Sequence, residues 1–116
     1  MNSKLRDILQ HMLDDALVAT RFAINLSGAD DLATNRLYRK AIVMSILNIG
    51  ELAKQLPIDF KLTHSEMPWK KISGMRDIAA HGYHVMDNDI IWNVITHSIP
   101  ELVQFLQGQL HNKEAL

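Results

Sequence analysis

Residues 76–84, RDIAAHGYH, gather side chains that can carry out acid–base and phosphate chemistry. If this segment is helical, Asp77 and His81 are one turn apart, and both lie within roughly 140° of Arg76 around the helix axis. Tyr83 falls about 20° to the other side of Arg76, and the apolar residues of the segment occupy the opposite arc. The spacing therefore predicts a polar face that points away from the core.

Three interpretations of this face are open on spacing alone. It can be a solvated surface with a histidine near a helix C-terminus, where the helix dipole favours a positive charge. It can be a metal site, because Asp77, His81 and His84 have the spacing of ligands on one helix. It can also be a site for phosphodiester cleavage without metal. A histidine suits removal of a 2′-hydroxyl proton, and an arginine suits binding of the phosphate as its charge builds.

Composition narrows the function classes. The chain has 116 residues, enough for a single domain (1–116), and 47% of them are hydrophobic. It has no cysteine, which excludes disulfides and thiolate chemistry and agrees with a cytoplasmic location. The formal net charge is −1, with 12 basic and 13 acidic residues, so the chain is not a general nucleic-acid binder and RNA contact must rest on a local patch. No membrane span can be made from its short apolar runs, and neither a membrane nor DNA is an expected partner.

Hydrophobic periodicity predicts an all-α fold, an up-and-down four-helix bundle with one short member. The second helix has an apolar middle, AIVMSILNIGELA, which predicts that it is the central, most buried one. A loop with room for a short turn separates it from the third, shorter helix. The predicted helices cover about 3–27, 31 or 34 to 56, 69–84, and 88–110.

Polar residues and prolines predict where these helices begin and bend. Asn2 or Ser3 is expected to cap the first helix, and Asp87 or Asn88 the fourth. Pro100 lies inside the apolar pattern of the fourth helix, where it removes the hydrogen bond to the Thr96 carbonyl and should bend the helix.

The motif resembles that of a known family. RDIAAHGY is similar to the Arg-x4-His-x-Tyr motif of HepT-type toxins, a branch of the HEPN superfamily. Three blocks occur in the order typical of that family and together cover about residues 40–106. They are NIGELAKQL (48–56), MPWKKISGMRDIAAHGY (67–83) and DIIWNVI (89–95).

This resemblance implies a fold, an activity and partners. It implies a helical HEPN-like bundle that forms a homodimer, or a higher even oligomer, with the motif helices of two subunits lining a cleft. It implies a metal-independent endoribonuclease with no cofactor, acting as the toxin of a toxin–antitoxin system. The cognate antitoxin is a minimal nucleotidyltransferase that silences the enzyme by attaching AMP to the motif tyrosine.

Roles follow residue by residue from the same resemblance. Arg76 and His81 are the expected catalytic pair, and Asp77 is the polar residue beside them, at a position where many relatives carry asparagine. Tyr83 is the expected AMPylation site. Glu51 matches the family's IGE glutamate, which either lines the cleft or positions Arg76.

Two further expectations concern the lysines beside the motif and an alternative function. Lys70 and Lys71 flank the motif helix and are candidate RNA contacts within the cleft. The alternative to a ribonuclease is a non-catalytic HEPN-like scaffold that binds a nucleotidyltransferase. The intact motif favours the enzyme, because a scaffold has no need of all three motif residues.

Overall fold

The computed structural model describes the backbone of residues 1–82 and 87–115 and the side chains of 1–77 and 87–111. These ranges contain helices and no strand, so the prediction of an all-α fold is confirmed. A π-helical turn, Val94–Ser98, joins the last two helices. The helices are α1 (Ser3–Ala23), α2 (Ala29–Thr34), α3 (Arg36–Lys54), α4 (Ile58–Thr63), α5 (Trp69–Gly82), α6 (Asn88–Asn93) and α7 (Ile99–Ala115).

Helix α3 organises the core, as its apolar sequence predicts. It contacts both α1 and α5, and α1 in turn contacts α7. Ile42, Ile46 and Ile49 of α3 are completely buried. Since each such side chain contributes about 1.5–3 kcal/mol when it leaves water, the α1–α3–α5 contacts hold the motif helix firmly on the bundle.

Three short helices, α2, α4 and α6, were not predicted as separate elements. The expected second helix is divided at Asn35, whose φ of −113° and ψ of 71° leave the helical region. Asn35 directs both its backbone N–H and its side-chain amide to the Asp31 carbonyl, at 3.0 and 2.8 Å. The backbone bond is the ordinary i to i−4 bond that closes α2, and the side-chain amide bond is the local contact by which asparagine competes with helix continuation. The short turn allowed for in the loop before the motif helix is a full helix, α4.

The predicted caps are present. Asn2 Oδ1 accepts a hydrogen bond from the backbone N–H of Leu5, and Asp87 Oδ1 accepts one from that of Asp89, each at 2.8 Å. Pro100 has no N–H to donate to the Thr96 carbonyl. Immediately before it the chain forms a π-helical turn, Val94–Ser98, in which the Ile99 N–H donates to the Val94 carbonyl.

An aromatic cluster fixes the start of the motif helix. Trp69, the first residue of α5, is only 8% exposed and packs against Phe60 of α4 and Phe105 of α7. Its indole N–H donates a 2.9 Å hydrogen bond to the His64 carbonyl. The tryptophan is therefore a core anchor, as its amphipathic ring favours. None of the helices in the described part of the chain has the length and apolarity needed to cross a membrane.

Candidate functional site

The site begins with a contact between two helices. Arg76 lies on α5, and its Nε donates a hydrogen bond to Oε1 of Glu51 on α3. The two side chains are about two-fifths exposed, so the pair lies at the surface of the α3–α5 contact. This is the contact expected of a glutamate that positions Arg76, one of the two roles anticipated for Glu51.

Gly50 permits this contact. A Cβ atom at Gly50 would lie 2.4 Å from the backbone N of Arg76 and 2.7 Å from its Cβ, distances that real Cβ atoms do not adopt. Without a side chain at Gly50, α5 can approach α3 closely at the position of the motif arginine. The glycine before Glu51 therefore sets the distance across which Glu51 reaches Arg76.

A second carboxylate and a second cation complete the cluster. Asp77 Oδ1 accepts a hydrogen bond from Nη1 of Arg76 at 3.2 Å and one from Nζ of Lys54, on α3, at 3.4 Å. Glu51, Lys54, Arg76 and Asp77 thus form one network, referred to below as the ion cluster. Its two carboxylates and two cations sum to a formal charge of zero.

The network stabilises the charged forms of its members. Hydrogen bonding from Arg76 and then from Lys54 lowers the pKa of Asp77 below 3.8. Hydrogen bonding to Asp77 and then to Glu51 raises the pKa of Arg76. Both groups are therefore ionised across the physiological range, and an incoming anion meets a charged competitor at Arg76.

The two lysines that flank the motif helix do not join this cluster. Lys70 and Lys71 are exposed in the first turn of α5. Helical geometry places them about 120° and 140° around α5 from Arg76. Among the side chains that the structure describes, no hydrogen bond or ion pair links either lysine to Glu51 or Arg76. Their place in a cleft between two subunits stays a prediction.

His81 and Tyr83 of the motif and the neighbouring His84 fall beyond the described side chains. His81 lies within α5, but its side chain is outside the described residues, and Tyr83 and His84 are outside them altogether. The described side chains contain no group of three that could hold a metal ion. The alternative of a metal site at Asp77, His81 and His84 is not tested, because two of its ligands are outside that set.

Sequence reasoning missed Lys54 and the packing role of Gly50. Lys54 is three residues after Glu51 on one helix, so the two share a face, and this spacing was an available signal. A glycine inside an apolar helix costs about 1 kcal/mol relative to alanine, and its presence in NIGELAK signals close packing of another backbone.

Comparisons with known proteins confirm the resemblance to the HepT family. The family described as "Ribonuclease HepT-like" matches residues 12–108. "Putative RNase TTE0752" of Caldanaerobacter subterraneus subsp. tengcongensis is 37% identical over 97 residues, which are 84% of this chain and 86% of the relative. "Probable ribonuclease HepT" of Thermococcus cleftensis is 33% identical over 63% of this chain and 66% of its own. A further protein, "Putative RNase MJ0127" of Methanocaldococcus jannaschii, is 29% identical over 93% of this chain and 91% of its own. No solved structure matches the chain. With the family match spanning most of its length, the chain belongs to the HepT-like ribonuclease family.

Proposed function

We propose that the chain is a metal-independent endoribonuclease and the toxin of a toxin–antitoxin system. The observation that carries this proposal is the contact of Glu51 with Nε of Arg76. A guanidinium held at Nε keeps its Nη groups oriented for other partners, and such a fork matches the oxygens of a phosphodiester. Membership of a ribonuclease family makes RNA the substrate that this arrangement fits.

The proposed reaction is an internal transesterification. His81 removes the proton of an RNA 2′-hydroxyl, and the 2′-oxygen attacks the adjacent phosphorus. Arg76 stabilises the negative charge that builds on the phosphate oxygens. The P–O5′ bond breaks, the leaving 5′-oxygen takes up a proton from an imidazolium, and the products carry a 2′,3′-cyclic phosphate and a 5′-hydroxyl.

A homodimer would provide the second histidine that such a reaction uses. Leu37 and Met44 on α3 are 74% and 56% exposed although both are apolar. They precede Glu51 at seven-residue intervals, so all three lie along one stripe of the helix. A second copy packed on this stripe would cover the apolar residues and bring a second Arg76 and His81 towards the first ion cluster.

The proposed regulation is covalent. A cognate nucleotidyltransferase attaches AMP to the Tyr83 hydroxyl, which adds a phosphodiester charge seven residues after Arg76 in the sequence. On a regular helix that spacing returns to nearly the same side, so the added phosphate would compete for the arginine that RNA needs.

The decisive experiment measures RNA cleavage by the wild-type chain and by His81→Ala in excess EDTA. We expect the wild type to cleave and to leave 2′,3′-cyclic ends, and the variant to be inactive with an unchanged melting temperature. Cleavage by the variant at the wild-type rate would contradict the assignment of His81. Activity lost in EDTA and restored by a divalent ion would support the metal site of Asp77, His81 and His84 instead. If the wild-type chain binds its nucleotidyltransferase but cleaves no RNA, the alternative of a non-catalytic scaffold is supported instead.

A further inference from the structure

Asp77 brings two cations from different helices to one oxygen atom. Arg76 Nη1 on α5 and Lys54 Nζ on α3 donate to the same Oδ1, at 3.2 and 3.4 Å. A guanidinium and an ammonium that converge in this way are the usual donors to a phosphate oxygen in proteins. The carboxylate oxygen therefore stands where an oxygen of a substrate phosphate could be bound by both cations.

The contacts that Asp77 makes with Arg76 and Lys54 are easily exchanged. Its side chain is 55% exposed, and those of Lys54 and Arg76 are 43% and 39% exposed. Ion pairs between such exposed groups contribute little to stability, because water and salt screen them and ordering long side chains costs entropy. An arriving anion can replace Asp77 without unfolding any part of the bundle.

Displacement of Asp77 leaves Arg76 in place and makes the ion cluster more positive. Glu51 binds the Nε of Arg76 from α3, so Arg76 stays oriented if the Asp77 carboxylate swings away. Among the four described side chains of the ion cluster, loss of Asp77 changes the formal charge from zero to +1, because Glu51 then balances one of the two cations. The charge change is in the direction that favours RNA.

We propose that Lys54 is a second phosphate-binding cation and that Asp77 is a displaceable carboxylate, which covers Lys54 and Arg76 until an RNA phosphate takes its place. This proposal rests on the proposed function and adds a substrate-binding residue to it. It also assigns Asp77 a role other than proton transfer, since the aspartate competes with the substrate for the arginine.

Binding to an RNA that cannot be cleaved tests the proposal. The probe is a single-stranded 2′-O-methyl oligoribonucleotide, which lacks the attacking hydroxyl, and the measurement is its Kd as a function of salt concentration. Each phosphate contact contributes about 0.7 to the salt dependence on a logarithmic scale for single strands. We expect Lys54→Met to weaken binding and to reduce that slope by about 0.7, and Lys54→Arg to restore both. Asp77→Asn should bind more tightly than the wild type.

A variant that combines Lys54→Met with Asp77→Asn shows whether Lys54 binds the phosphate itself or only holds Asp77 in place. If Lys54 contacts the phosphate, Lys54→Met must weaken binding in the Asp77→Asn background as well, where no charged aspartate remains to be held. The matched control is Lys40→Met, which removes an exposed lysine from the same helix, about 21 Å away along its axis. Melting temperatures should be unchanged throughout.

Three outcomes would overturn the proposal. An effect of Lys54→Met no larger than that of Lys40→Met would exclude a specific contact. An effect that disappears in the Asp77→Asn background would make Lys54 a support for Asp77 only. A wild-type chain that does not bind the oligonucleotide would overturn the ribonuclease assignment together with this inference, whereas either of the first two results leaves that assignment intact.

Discussion

Replacing Gly50 with alanine tests whether close helix packing positions the arginine of the site. The new Cβ would lie 2.4 Å from the backbone N of Arg76, and an ordinary contact begins at 3.4 Å, so α3 and α5 would have to separate by about 1 Å. The opposing atoms include the backbone N and Cα of Arg76, which cannot rotate away as the end of a long side chain can.

Two opposing effects determine how much Gly50→Ala changes the free energy of unfolding. Alanine is favoured over glycine inside a helix by about 1 kcal/mol. Overpacking of a tight contact costs about 1–3 kcal/mol, and the upper part of that range applies where backbone atoms collide. We therefore expect Gly50→Ala to lower the free energy of unfolding by about 1–2 kcal/mol. Because α5 moves with Arg76, RNA cleavage should fall by about two orders of magnitude, as a displacement of about 1 Å commonly causes.

Two glycines elsewhere provide matched controls. A Cβ at Gly74 on α5, or at Gly108 on α7, would have no atom within 4 Å, so alanine at either position should raise stability by up to about 1 kcal/mol. The assay is chemical denaturation of all three variants, with initial rates of RNA cleavage for the wild type and Gly50→Ala. A Gly50→Ala protein as stable and as active as the wild type would refute the packing argument.

Three further predictions address regulation, assembly and a partly buried carboxylate. Tyr83→Phe should cleave RNA but escape silencing by the nucleotidyltransferase with ATP and Mg²⁺, with AMP found by mass spectrometry on the wild type only; equal silencing of both would refute the covalent mechanism. Mixed dimers of His81→Ala and Arg76→Ala subunits should regain part of the cleavage activity, and no recovery would indicate independent sites. Burial raises the pKa of Asp15, against the opposing hydrogen bond from Asn48, so its charged form opposes folding once the pH exceeds the folded pKa. Asp15→Asn should therefore be more stable than the wild type at pH 7, and the difference should vanish below pH 3.8, as denaturation at both pH values would test.

The helical class, the caps and the central helix follow from sequence because they depend on local patterns. Asn2 and Asp87 cap helices through side chains that reach only two or three residues along the chain. The division of the second helix at Asn35 was not predicted, since an asparagine inside an apolar pattern is compatible with both continuation and a break. The break lies at the non-helical φ and ψ of Asn35, whose side-chain amide binds the Asp31 carbonyl in addition to the ordinary backbone bond.

The residue types of the site and the Glu51–Arg76 contact were anticipated from the motif and the family resemblance, but the contact of Lys54 was not. Arg76 and Asp77 come from the motif, whereas Glu51 and Lys54 lie more than 20 residues earlier and reach them only because α3 packs on α5. Periodicity shows which face of each helix is apolar, but not which residues meet at the edge of the contact. Lys54 was missed for this reason.

The ion cluster also explains how a chain of net charge −1 can act on RNA. A basic surface would hold RNA through counterion release at many positions, whatever its sequence or shape. Here the site itself sums to zero in the free protein, since Asp77 and Glu51 balance Lys54 and Arg76. Under the proposed exchange, positive charge is exposed only where a phosphate can displace Asp77 while Glu51 keeps Arg76 in place. Affinity then depends on the fit of one phosphodiester to two cations, and the proposed dimer would double that local charge without changing the ratio of basic to acidic residues.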